Sequence, residues 1–134
     1  MTGSPLTPTH AAAAAMPLSS VPASAVPEAE AVVEILRVKV PAPRLKAWRE
    51  AEAQSWEPWL RRQSGFVDRQ LFWDPQREEA TLLIRWASRA AWKAIPAEAV
   101  QEVQVRFEAL ARRKTGKHQG NPFPLVFEGE LVPL

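Results

Sequence analysis

Apolar and polar positions fall into a regular succession from Ala31 onward. Val32 to Val40 is rich in β-branched residues and ends at Pro41-Ala42-Pro43, which predicts a strand closed by a turn. Pro43 suits the first position of a helix running through Leu45, Trp48, Trp56, Trp59 and Leu60. Pro58 falls inside that run and should kink or break it, because it cannot donate to residue 54 and crowds that carbonyl. Gly65 is the expected stop, with Arg61 and Arg62 placed near the negative end of the helix dipole. Phe66 to Trp73 and Ala80 to Trp86 are joined by Asp74-Pro75-Gln76-Arg77, which predicts a hairpin. Ser88 can cap a short helix through Ile95. Pro96 then opens a second long helix whose apolar positions are Val100, Val103, Phe107 and Leu110, the spacing of one helical face. Arg112-Arg113-Lys114-Thr115-Gly116 ends it, and a polar loop through Asn121 leads to a last strand, Leu125 to Val132. The order β-α-β-β-α-β predicts an α+β, ferredoxin-like domain.

The strands do not alternate cleanly. Val32, Leu36, Val38 and Val40 share one face, yet Val33 and Ile35 are apolar on the other; Leu83 opposes Leu82, Ile84 and Trp86. In the last strand Leu125, Phe127 and Leu131 oppose Val126 and Val132. A sheet with one wet face would alternate strictly, and two helices cover only one face. A second copy of the chain is the economical cover for the other, so a homodimer is expected. Scattered exposed apolar residues are the plainer alternative.

The residues before this pattern differ in kind. Positions 1 to 29 are mostly Ala, Pro, Ser and Thr, with Pro at 5, 8, 17, 22 and 27, which predicts a disordered extension and a domain over residues 30–134. Met16 could serve as an alternative start. Pro22-Ala23-Ser24-Ala25 imitates a signal-peptidase site, but no base precedes Arg37, so a cytoplasmic location is expected. No stretch approaches the ~20 apolar residues of a membrane span.

Composition narrows the chemistry. Without Cys there is no disulfide, thiolate metal site or cysteine nucleophile, and without Tyr no phenolic acid. The 17 bases are interleaved with acids, as in Arg49-Glu50-Ala51-Glu52, so the surface is a solvated mixture and no nucleic-acid partner is expected. No His, Asp or Glu spacing suggests a metal, and the glycines form no phosphate loop. Ser64 and Ser88 stand at helix ends, which leaves no basis for a catalytic triad.

Several stretches carry a family resemblance: Val33-Glu34-Ile35-Leu36 with Val38-Lys39-Val40-Pro41, Trp56-Glu57-Pro58-Trp59-Leu60, and Gly65-Phe66. They continue in Leu82-Leu83-Ile84-Arg85-Trp86-Ala87-Ser88 and Trp92-Lys93-Ala94-Ile95-Pro96. Over about residues 31–132 the chain resembles the antibiotic-biosynthesis-monooxygenase-like group of dimeric α/β barrels. Within it, the likeness is to a family of short, mainly cyanobacterial proteins, for which it implies a fold and a dimer but no established activity. The wider group includes cofactor-independent oxygenases of polycyclic phenols and haem-degrading enzymes. The haem degraders use an Asn on the first strand and a His in or just before the second helix. Here Glu34 takes the first place, and no His lies between Trp86 and Lys117. The resemblance therefore implies no cofactor, and a monooxygenase or isomerase acting on a small aromatic or quinonoid compound. The alternatives are a non-catalytic domain that binds a hydrophobic ligand and a structural dimer.

Glu34 is the candidate catalytic residue. It shares the parity of Val32, Leu36 and Val38, so it points among apolar neighbours, where it could accept a proton from a phenolic substrate. An ion pair with Arg85 or Arg69, or a bulge turning it outwards, is the structural alternative. Trp48, Trp56, Trp86 and Trp92, with Trp59, could wall a flat substrate slot between sheet and helices; equally, they could simply be core. Arg85 is the candidate substrate-binding arginine. His118, in a polar loop, reads as an ordinary loop histidine.

Overall fold

The computed structural model describes residues 26–134. Four strands form one antiparallel sheet: β1 (Val32–Lys39), β2 (Phe66–Asp74), β3 (Glu79–Trp86) and β4 (Leu125–Leu131), in the order β2-β3-β1-β4. β1 and β3 occupy the centre, and this is the ferredoxin-like α+β arrangement.

After β1, a single 3-10 turn (Ala42–Arg44) leads into α1 (Leu45–Gln54) and α2 (Trp56–Arg61). The break between them comes at Ser55, three residues before the proline expected to cause it. Pro58 sits in the first turn of α2, where its missing N–H leaves no bond unmade, and the chain bends ahead of the carbonyl its ring would crowd. The Ser55 hydroxyl donates to the Ala51 carbonyl at 2.7 Å and so closes the end of α1. α3 (Arg89–Lys93) is capped by Ser88, whose hydroxyl accepts from the Ala91 amide at 3.0 Å. α4 (Ala97–Thr115) ends at Gly116, whose φ of 76° belongs to the left-handed region that favours glycine.

The helices lie on one face of the sheet. Val32, Leu36, Ala80, Leu82, Ile84 and Trp86 bury that face against Trp48, Ala51, Trp56 and Leu60 of α1 and α2, and Val100, Val103 and Phe107 of α4. Leu110 is half-buried and packs against this core, and Gln104 and Ala111 complete the inward stripe of α4. The opposite face carries Val33, Ile35 and Leu83, half-buried, with Val67, Phe72, Phe127 and Leu131 exposed.

Packing begins by Val26, earlier than the boundary expected at residue 30. Val26 is buried, and the carbonyls of Glu30 and Glu28 accept from the first two amides of α3, Arg89 at 3.0 Å and Ala90 at 2.8 Å. The segment thus satisfies donors that a helix start leaves open. The rest of the expected extension, residues 1–25, lies outside the described residues. Among the described residues, no helix is long and apolar enough to cross a membrane.

Candidate functional site

Glu34 stands mid-strand on β1, opposite Ile84 of β3 and Glu130 of β4, and it faces the helices as alternation required. Its residue surface is 3% exposed. Trp86 pairs with Val32, one position along the same face, so its indole reaches back and Nε1 donates to Glu34 Oε1 at 3.2 Å. Trp92 of α3 lies nearly parallel to Trp86, with ring centroids 6.2 Å apart and planes at 12°. Phe66 meets Trp86 edge-on at 6.1 Å, and Trp56 and Trp59 form a second edge-on pair at 5.4 Å.

Glu34, Trp56, Trp59, Trp86 and Trp92 line a small cleft, closed by Leu60, Ile95 and Val100. Its enclosed volume is about 20 Å³. That admits a water-sized molecule, whereas an aromatic ring needs a cavity of roughly 150 Å³. A ring can enter only if an indole moves.

Beside the cleft is a charged cluster. Glu130 shares the inward face with Glu34 on the adjacent strand, and two carboxylates abreast repel unless cations separate them. Arg89 and Lys93 of α3, one helical turn apart, both pair with Glu130. Arg89, its side chain 2% exposed, donates to both oxygens of Glu130, at 2.8 and 3.3 Å, and to Glu28 at 2.6 Å. Lys93 Nζ lies 3.4 Å from Glu130 and 3.7 Å from the centroid of the Trp92 ring. Burial alone would raise the Glu130 carboxyl, but the Arg89 hydrogen bond and the charges of Lys93 and Arg89 outweigh it and hold it below the ordinary value. For Lys93, burial wins: its ammonium is pushed below the usual lysine range, partly offset by the negative charges of Glu130 and Glu34.

The other candidates separate. Trp48 lines a second cavity of about 20 Å³ with Glu52, Gln104 and Phe107, on the far side of Trp56. Trp56 Nε1 donates to Gln104 Oε1 at 3.1 Å. Arg85 projects from the opposite face of the sheet, where it is exposed and lies 3.4 Å from Asp68; alternation from Trp86 puts it there, so it cannot line the cleft. Arg69 is buried against Glu52 and Glu57 at 2.6 and 2.7 Å. Neither arginine pairs with Glu34 in the way considered from sequence; the indole of Trp86 and the charge on Lys93 face it instead.

Sequence reasoning missed Arg89, Lys93 and Glu130. The spacing of Arg89 and Lys93 was a usable signal, since residues four apart share a helical face. Glu130 was hidden by a bulge. Val126 is the extra residue between the pairs Val38–Leu125 and Arg37–Phe127, so Leu125 faces the helices while Phe127 and Leu131 face away and Glu130 points inward.

No protein-family model matches the chain, and no curated protein matches its sequence. Solved structures do match. A Bordetella bronchiseptica protein named for antibiotic biosynthesis monooxygenases superposes with a TM-score of 0.55 at 17% identity, over 78% of this chain and 98% of its own. SnoaB, a cofactor-independent oxygenase from Streptomyces nogalater, matches with a TM-score of 0.52 at 16% identity, over 79% and 95%. A monooxygenase from the ActVA-Orf6 gene of Streptomyces coelicolor, solved with nanaomycin D, matches with a TM-score of 0.51 at 15% identity, over 78% and 86%. At these identities the likeness is one of fold: the chain has the ferredoxin-like α+β architecture of the antibiotic biosynthesis monooxygenase structures.

Proposed function

We propose that the chain is a small-molecule enzyme of the cofactor-independent monooxygenase kind, acting on a compact phenolic or quinonoid ring. The observation that carries the reading is Glu34: a carboxylate 3% exposed, in the wall of a cleft otherwise made of indoles and aliphatic side chains. A carboxylate so placed can accept a phenolic proton, leaving the electron-rich phenolate that is the form more readily attacked by oxygen. The Streptomyces neighbours, described as oxygenases, support the reaction class by fold alone. The finer likeness, to short cyanobacterial proteins, rests on the run from Trp86 to Pro96 and belongs to the same proposal. So does the homodimer, for which the apolar outer face of the sheet argues.

The enclosed volume of about 20 Å³ favours a second reading, a structural dimer whose tryptophans are core. Oxygen uptake with hydroxynaphthoquinones and naphthols separates the two. The enzyme reading expects uptake in the wild type that Glu34→Gln abolishes. No uptake and no ring binding by tryptophan fluorescence would leave the structural reading.

A further inference from the structure

We propose that the C-terminal end of α4 is a second binding site, which takes a small phosphorylated molecule between Arg113, Lys117 and His118. The site is separate from the Trp-lined cleft and does not depend on what binds there. Val100 lines that cleft, and Arg113 stands roughly 20 Å further along the axis of the same helix.

The loop after α4 is held in place. Gly116 turns the chain through its left-handed backbone, and its amide donates to the Arg112 carbonyl at 2.9 Å. The Arg112 guanidinium in turn donates to the Gly120 carbonyl at 2.9 Å and pins the loop against the helix end. Helix end and loop together line an open groove of about 450 Å³, formed by Ala109, Arg112, Arg113, Gly116, Lys117 and His118. Small-molecule sites commonly measure about 300–1,000 Å³, so a sugar phosphate fits. No atom lies within 4 Å of the point where a Cβ on Gly116 would stand, which leaves the backbone at the turn open to a ligand. Among the described residues, no carboxylate lines the groove.

Bases at a helix C-terminus often do no more than balance the helix dipole, which amounts to about half a negative charge. Here they exceed it. Lys114 lies 3.4 Å from Glu50 and Arg112 lies 3.8 Å from Glu108, so each of these two already faces an acid. Arg113 and Lys117 are exposed on the groove, and among the described residues neither forms an ion pair. Their two charges, less the dipole, leave an excess of about +1.5. A phosphate monoester carries about −1.5 to −2 at neutral pH and matches it. The planar fork of Arg113 can meet two phosphate oxygens at once, and the imidazole of His118 offers an N–H to a third.

The test uses the full chain, with ribose 5-phosphate as the probe and ribose as its uncharged control. Titration followed by amide NMR at low salt should move the signals of residues 113–118 with the phosphate and leave them still with ribose. Arg113→Gln combined with Lys117→Gln, both at exposed positions, should weaken binding about tenfold or more at an unchanged melting temperature. Arg61→Gln combined with Arg62→Gln removes the same charge from the exposed end of α2 and should change the affinity less than about twofold. Equal weakening by the two pairs would mean that only the overall charge attracts the probe, which overturns the site. Signals that move elsewhere, or no response at about 10 mM probe, overturn it as well.

Discussion

The indole of Trp86 donates to the carboxylate of Glu34 across the two central strands, at 3.2 Å. The bond fixes the orientation of a buried acid with a donor that carries no charge. Gln at position 34 keeps an acceptor oxygen for it, so Glu34→Gln should change stability by no more than about 1 kcal/mol in urea unfolding, although it abolishes any phenol-dependent activity. Trp86→Ala should cost about 3–5 kcal/mol through the cavity left against Trp92 and Phe66.

Gly65 approaches α3 so closely that a Cβ placed on it would lie 2.5 Å from the Cβ of Ala91. Gly65→Ala should therefore destabilise the fold by about 1–3 kcal/mol and disturb the Trp92 wall. Adding Ala91→Gly should restore part of the melting temperature, less about 1 kcal/mol for a glycine in a helix. An unchanged melting temperature in the single variant would show that the loop yields freely.

Glu130 gives the acid limb of stability. Its carboxyl is held below the ordinary 4.5 in the folded chain, so its contribution is complete above that value and is lost as the pH falls through the folded pKa. Glu130→Gln takes from Arg89 and Lys93 the carboxylate they share and should cost about 3–5 kcal/mol at neutral pH. Urea unfolding repeated in acid should show the gap to the wild type narrowing.

The segment from Val26 to Glu30 should behave as part of the domain. Deleting through Glu30 should lower stability by about 1–3 kcal/mol relative to deleting through Ala25, because Arg89 loses Glu28 and the first amides of α3 lose their carbonyls. Equal melting temperatures for the two truncations would contradict this.

Light scattering should give twice 15.0 kDa if the outer face of the sheet meets a second copy. Phe72→Asp and Leu131→Asp, both on exposed positions of that face, should then yield monomers that keep their secondary structure. A monomeric wild type at micromolar concentration would leave the face without this partner.

Much of the architecture was legible because it is periodic. Alternation along β1 and β3 put Glu34 and Trp86 on one covered face, and Ser88 and Gly116 carried the marks of helix ends. What escaped is local geometry that leaves no period. One extra residue at Val126 reverses which side chains of β4 face the helices, and so concealed Glu130. The helix break fell at Ser55 because a proline acts on the turn before it. Arg85 looked suitable by residue type, yet it stands one position from Trp86 and therefore on the other face. The contacts of Glu28 with α3 depend on pairing across more than sixty residues, which composition does not encode.

Glu130, abreast of Glu34 on β4, and the two α3 cations that hold it, Arg89 and Lys93, form one buried cluster. Heredity should treat them as one character. A lineage that lost Glu130 alone would leave two interior cations short of a negative charge, so surviving changes at positions 89, 93 and 130 should arrive together. Descent within this fold can then be sorted by which version of the trio a chain carries, even where overall identity has decayed too far to align.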